Sequence, residues 1–206
     1  MRDLDSMFSW SDRNYCRYAW LAVWVAITIV IVAAWQYCVI DQDPMAKQQF
    51  LGTTDLFTWF FPMLDRAYAE MRHGRLFLWN PYQLAGLPGL ATLQSGLLYP
   101  FHLIYAFVPT EVGMGLMGIF HSLLGGWSMV CLARVFGARP TAALAAGLYF
   151  ALAVVVPLFR WPPAMEAVAW LPLGFASIER ISRNGGFRWT AVLTLAVAMP
   201  VLAGGY

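Results

Sequence analysis

From Tyr18 to Val39 the chain reads YAWLAVWVAITIVIVAAWQYCV, with no charged side chain along its length. About 20 such residues cross a bilayer as a helix, because lipid offers no water to pair with a helix's backbone groups. Trp20, Trp35 and Tyr37 stand near its ends, where aromatic side chains favour the membrane interface. The polar segment before it, Met1 to Arg17, does not make it a signal peptide. The apolar run is too long, and no small-residue cleavage site follows. This first helix is expected to stay in the membrane as an anchor.

Composition extends that expectation to the whole chain. Hydrophobic residues make up 60% and charged residues 12%, against roughly 25% charged in a soluble domain. The net charge of +2 gives no reason to invoke nucleic acid. Cys16, Cys38 and Cys131 have no metal-ligand spacing, and a whole span separates the first two. All three read as free thiols.

Between apolar runs lies a stretch of different character, Thr53 to Pro100, with charged side chains, Trp-Asn-Pro, Gly-Leu-Pro-Gly and Tyr-Pro. Such a segment cannot face lipid with its backbone unpaired, so it lies on the membrane surface or lines a cavity. Phe57, Phe60, Phe61, Leu64, Ala67, Tyr68 and Met71 recur at helical spacing and predict an amphipathic interfacial helix. Pro62 would kink it or start its second half, and Gly74 would stop it. Leu76 to Gly89 reads as loop. Leu90 to Val108 is long enough to span, but Gln94, Ser95, Gly96, Pro100 and His102 interrupt it. It reads as two short interfacial or re-entrant pieces hinged at Pro100.

Later spans are expected at Val112–Val135 and Thr141–Leu158. A short one follows at Ala164–Ile178, and a fifth begins at Trp189–Ala203. The fold class is all-α: a polytopic transmembrane helical protein, one membrane domain over 1–206, with a long first outer loop carrying interfacial helices. With the N-terminus inside, the cytoplasmic side holds Arg2, Arg13, Arg17, Arg134, Arg139, Arg180, Arg183 and Arg188. The outside holds Lys47, Arg66, Arg72, Arg75 and Arg160, together with most acidic residues, Glu166 among them. If Leu90–Val108 spanned and the N-terminus lay outside, the split would be 9 to 4 rather than 8 to 5. Only the broken hydropathy of that stretch argues against this second topology.

Several side chains are candidates for chemistry. Asp41 and Asp43 at the mouth of the first span can hold a divalent cation through oxygen, or simply mark the exit from lipid. Asp55 precedes the amphipathic helix and reads equally as an N-cap or as a general base. Trp79, Tyr82 and Tyr99 suit stacking on a sugar or lipid headgroup, although interfacial aromatics need no such reason. Arg160 suits a phosphate, and His121 inside a span is expected to make a structural hydrogen bond. P-loop, GxSxG, HExxH and Cys-pair motifs are absent from the sequence.

The series Asp55 … Phe61-Pro62 … Gly74-Arg-Leu-Phe-Leu-Trp79-Asn80-Pro81-Tyr82 … Gly86-Leu-Pro88 … Gln94-Ser-Gly96 … Tyr99-Pro100 resembles the bacterial YfhO-like membrane protein family. His121 with Gly125-Gly126, Leu132-Ala-Arg134 with Gly137, Ala143 to Phe150, Ala169-Trp-Leu-Pro-Leu173 with Glu179-Arg180, and Leu202-Ala-Gly204 continue it. The resemblance implies a relative of the GT-C glycosyltransferases. Such an enzyme would transfer sugar from a polyprenyl-phosphate donor to a cell-envelope acceptor at the outer face of the bacterial cytoplasmic membrane. It implies Asp55 as the preferred acidic residue and Asp43 as the second. Trp79, Asn80, Tyr82, Tyr99 and Arg160 would then bind substrate, and Asp41 and Asp43 a metal. Family members are much longer, so the chain is expected to be an N-terminal portion. A non-catalytic scaffold or transporter component is the alternative. A charged residue buried mid-span would favour the transporter, and the sequence shows none.

Overall fold

The computed structural model describes residues 10–36 and 55–205, with residues 10–17 and Asn184 described as helix backbone. Helix α1 covers Trp10–Trp35. A wide π turn over Leu56–Phe60 leads directly into α2, Phe61–Arg72. Pro62 stands at the first turn of α2, where its missing N–H costs nothing, so it starts the helix rather than kinking it. Gly74, at φ 72°, ends the element as expected.

A short hairpin with two residues in each strand follows. Trp79–Asn80 (β1) pairs antiparallel with Leu87–Pro88 (β2), Trp79 opposite Pro88 and Asn80 opposite Leu87. Turns then lead to a 3-10 helix at Pro100–Ala106. Helix α3 is Thr110–Val135. Helix α4, Pro140–Tyr149, widens into a π stretch at Phe150–Val155 and tightens into a 3-10 turn at Val156–Arg160. Pro157 has no N–H to give the helix, and both irregular turns surround it. Helix α5 runs Pro162–Asn184 with Pro172 inside, and α6 runs Phe187–Leu202.

Three helices are long and apolar enough to cross a membrane: Tyr18–Trp35, Thr110–Val135 and Pro140–Arg160. Helix α5 has the length, at 23 residues, but carries Glu166, Glu179, Arg180 and Arg183. Helix α6 is apolar but has 16 residues. The expected fourth span is therefore a longer and more charged helix than Ala164–Ile178 suggested.

Helices α1, α3, α4, α5 and α6 alternate in direction. At one end the Arg134 guanidinium lies 4.5 Å from the Trp20 ring centre, and Arg183 donates to the Val135 carbonyl at 3.3 Å. At the other end Trp35 meets Phe159 with ring centres 4.9 Å apart, and the Trp35 indole N–H donates to Ser122 at 2.8 Å. Helix α1 can approach α3 this closely because position 118 is glycine. A Cβ there would overlap the Trp35 ring. Ile27 likewise sits against Gly126 and Gly147, drawing α1, α3 and α4 together.

Helix α1 arrives at the Trp35 end and α3 departs from it, so residues 55–109 lie at that end. Leu90–Val108 forms turns and a 3-10 helix, not a crossing helix. The stretch is thus broken near Pro100 rather than one long helix. The segment nevertheless reaches deep. Tyr99 touches His121, which is eleven residues, or about 16 Å, along α3 from Thr110.

Candidate functional site

The polar interior of the bundle begins with His121 on α3. Its Nδ1 lies 2.7 Å from the Met117 carbonyl, which can only accept, so Nδ1 carries the proton. Nε2 is then a lone-pair acceptor and takes the Tyr99 hydroxyl proton at 2.7 Å. The Tyr99 oxygen in turn accepts the Trp170 indole N–H at 3.0 Å. Every polar side-chain atom of His121, Tyr99 and Trp170 is paired, and all three residues are buried. His121 thus makes the structural hydrogen bonds expected of a histidine inside a span.

Beside it lies a second group with a different balance. His102, from the 3-10 helix, and Glu166, from the second turn of α5, meet at 2.7 Å between Nε2 and Oε1. The two side chains are 4% and 0% exposed. The glutamate that looked like one of the outer acidic residues is buried. Gly96, at φ 57°, packs on the His102 ring, and a Cβ there would come within 2.5 Å of Nδ1. Among the described residues, His102 Nδ1, Glu166 Oε2 and the Tyr68 hydroxyl find no hydrogen-bond partner. Burial, reinforced by charge on Glu166, pushes the Tyr68 phenol above its ordinary pKa, so it stays protonated.

Tyr68 belongs to a face of α2 that it shares with Asp65 and Arg72, at spacings of three and four residues. Asp65 accepts from Thr110 at 2.7 Å, and Arg72 donates to the Tyr105 carbonyl at 3.1 Å. Asp65, Arg72, Phe107, Thr110 and Glu111 line an open cleft of about 560 Å³. The Tyr68 ring has its centre 5.3 Å from that of Tyr105.

The residues singled out from sequence fall into three places. Asp55 stands at the cap position of the π turn, exposed, and its side chain makes no capping hydrogen bond. Trp79 and Tyr82 are exposed on the hairpin, 58% and 74%, with the Arg66 guanidinium 5.3 Å from the Tyr82 ring centre. Asn80 is buried between them as the hairpin's organiser: it donates to Gln83 at 2.7 Å and accepts the Tyr82 backbone N–H at 3.1 Å. Gln83 donates to the Trp59 carbonyl at 3.3 Å, and the Trp59 indole donates to Gln94 at 3.2 Å. These bonds fasten the hairpin to the turn that begins at Asp55. Leu84 and Ala85 hold positive φ in the hairpin loop, a strained conformation for residues with a Cβ.

Tyr99 lies apart from this outer group, with its hydroxyl committed in the interior. Arg160 is exposed where α4 gives way to α5. Asp41 and Asp43 lie outside the described residues. Among the described residues, His, Cys, Asp and Glu side chains form no group of three or more able to hold a metal. Sequence reasoning missed His102 and Glu166 as a pair. The available signal was a carboxylate set among Pro162, Met165, Ala169 and Trp170, where a charge is costly.

The comparisons with protein-family models, curated proteins and solved structures give no match to the chain.

Proposed function

We propose that the chain is the membrane part of a GT-C-like glycosyltransferase, moving sugar from a polyprenyl-phosphate donor to a cell-envelope acceptor. In this reading the bundle sits in a bacterial cytoplasmic membrane, with α5 and α6 crossing alongside the three apolar spans. The end bearing Arg134, Arg139, Arg180, Arg183 and Arg188 faces the cytoplasm with the N-terminus. The observation that carries the reading is Asp55. Its carboxylate is exposed at the start of the loop's first helix and makes no cap bond, which weakens the structural explanation for an acid there. The sequence resemblance to the YfhO-like family points to the same residue.

The chemistry is a displacement at the sugar's anomeric carbon. The acceptor oxygen forms the new bond, the bond to phosphate oxygen breaks, and Asp55 takes the acceptor's proton. The hairpin carrying Trp79, Asn80 and Tyr82 is tied to the Asp55 turn and offers aromatic faces to the sugar. Arg160 supplies positive charge for the departing phosphate, and a divalent metal at Asp41 and Asp43 is the alternative. The test is sugar transfer by the full-length protein. Asp55→Asn should lose on the order of 10²–10⁴ in rate, whereas Asp43→Asn reports on the metal. Transfer at the wild-type rate by a folded Asp55→Asn protein would overturn the assignment.

A second reading, a membrane transport component, is favoured by the buried His102–Glu166 pair, since ionisable groups within membrane bundles commonly serve ion pathways. Under it, Asp55→Asn leaves function intact and Glu166→Gln abolishes it.

A further inference from the structure

We propose that the open cleft beside the first turn of α3 holds the headgroup of a zwitterionic phospholipid with a primary ammonium, as in phosphatidylethanolamine. The proposal rests on the chain lying in a membrane, and stands whether the protein transfers sugar or transports a solute.

The cleft is built by three elements. Helix α2 supplies Phe61, Asp65 and Arg72, Phe107 follows the 3-10 helix, and α3 opens with Thr110 and Glu111. Its volume of about 560 Å³ suits a small-molecule site, and apolar walls with a few placed polar groups are the usual lining of one. Two of the charged groups are held by neutral partners. Asp65 Oδ1 accepts the Thr110 hydroxyl at 2.7 Å, and Arg72 Nη1 donates to the Tyr105 carbonyl at 3.1 Å. These bonds reach across 45 and 33 positions, so the fold, not α2 alone, aims both side chains. Among the described residues, Asp65, Arg72 and Glu111 nevertheless enter no ion pair, unlike Glu70 on the same helix, which holds Arg66 and Arg75. Asp65 Oδ2, the rest of the Arg72 fork and the Glu111 carboxylate remain for a ligand.

The balance of charge selects the ligand. Two carboxylates stand against one guanidinium, so a purely anionic headgroup meets net repulsion. A zwitterion finds a partner for each of its charges. A primary ammonium has three N–H donors and can serve both carboxylates, whereas a quaternary ammonium has none to give. The Arg72 fork suits the phosphate oxygens. Position favours a lipid over a free zwitterion. The apolar span Thr110–Val135 begins at the cleft, which sets the cleft at headgroup level when that helix crosses the bilayer. Phe107 in its lining is 86% exposed, an apolar surface that the glycerol and upper chains of a lipid would cover.

The test uses the full chain, stripped of lipid in detergent, with bound lipid counted by native mass spectrometry and stability followed by thermal unfolding. Phosphatidylethanolamine, phosphatidylcholine and phosphatidylglycerol with identical acyl chains are added in turn. The expected result is retention of phosphatidylethanolamine over the other two by roughly tenfold, the worth of one charge-assisted hydrogen bond. Asp65→Asn keeps an oxygen for Thr110, and Glu111 is exposed, so the double variant Asp65→Asn, Glu111→Gln should fold as wild type and lose that preference. Arg72→Gln should weaken phosphatidylethanolamine and phosphatidylcholine together, since both carry phosphate. Glu179→Gln, at the opposite end of the bundle, should change nothing. Equal retention of the three lipids by wild type, or a preference that survives in the double variant, would overturn the site. Free O-phosphoethanolamine stabilising the protein as well as the lipid does would overturn the lipid as its occupant.

Discussion

Tyr99→Phe removes one oxygen and tests the interior network directly. The phenol donates to His121 Nε2 at 2.7 Å and accepts from Trp170 at 3.0 Å. Phenylalanine keeps the ring, and with it the edge contacts to Phe101 and His102. It leaves one acceptor and one donor buried without partners. An unsatisfied buried polar group costs about 1–3 kcal/mol. Hydrogen bonds between membrane helices average nearer 0.6 kcal/mol, because the unfolded chain in lipid finds other partners. Taking about 1 kcal/mol for each of two orphaned groups gives about 2 kcal/mol. For a chain of this size that lowers Tm by roughly 4–8 °C. Thermal unfolding in detergent, followed by tryptophan fluorescence, measures it. Trp170→Phe should cost less, and the double variant less than the sum of the two, since both act on one hydroxyl. A Tm within 1 °C of wild type, or strict additivity in the double variant, would refute the network.

Two smaller predictions follow from packing and charge. Gly118→Ala should displace the Trp35 ring and lower stability by about 1–3 kcal/mol, whereas Gly115→Ala, with nothing within 4 Å of the new Cβ, should be neutral or stabilising by up to about 1 kcal/mol; thermal unfolding of the two variants compares them. The hydrogen bond from Arg75, with Arg66 adding attraction, holds the Glu70 carboxyl below its ordinary pKa, so its grip on the Gly74 turn is present above the usual carboxylate range and lost as pH falls through the lowered value. Amide exchange at Arg75, corrected for its intrinsic rate, should accelerate in that acid range in wild type and show no such step in Glu70→Gln.

How much of this was legible in the sequence varied with the kind of force involved. Continuous apolar runs mark α3 and α4 to within a few residues and the apolar part of α1 from Tyr18, whose helix begins earlier at Trp10 and whose expected end at Val39 lies outside the described residues. The broken character of Leu90–Val108 was equally readable, since Pro100 and the polar side chains around it disfavour one long helix. For α5 the apolar pattern, Ala164–Ile178, is shorter than the helix, Pro162–Asn184. Its last turns carry Glu179, Arg180 and Arg183, which dilute the apolar signal without interrupting the backbone. The pairing of His102 with Glu166 was not legible. The two are 64 positions apart and meet only after α5 packs beside α3 and the loop folds in. The partnership of Trp35 with Ser122, across 87 positions, was hidden for the same reason. Tyr99 looked like a surface aromatic because Tyr-Pro marks interfaces as often as interiors. Only the depth of the loop's descent along α3 decides between them.

In the proposed topology residues 55–109 gather on one side of the membrane, opposite the end that holds Arg134 and Arg183. Cysteine labelling tests it most directly, in a background where Cys16, Cys38 and Cys131 are replaced by serine. Leu84→Cys places a thiol on the hairpin tip, where the native side chain is 79% exposed, and Phe136→Cys places one at the other end, 65% exposed. A membrane-impermeant thiol reagent applied to intact cells should label Leu84→Cys at once, and Phe136→Cys only after the membrane is permeabilised. Labelling of both in intact cells, or of Phe136→Cys alone, would overturn this topology.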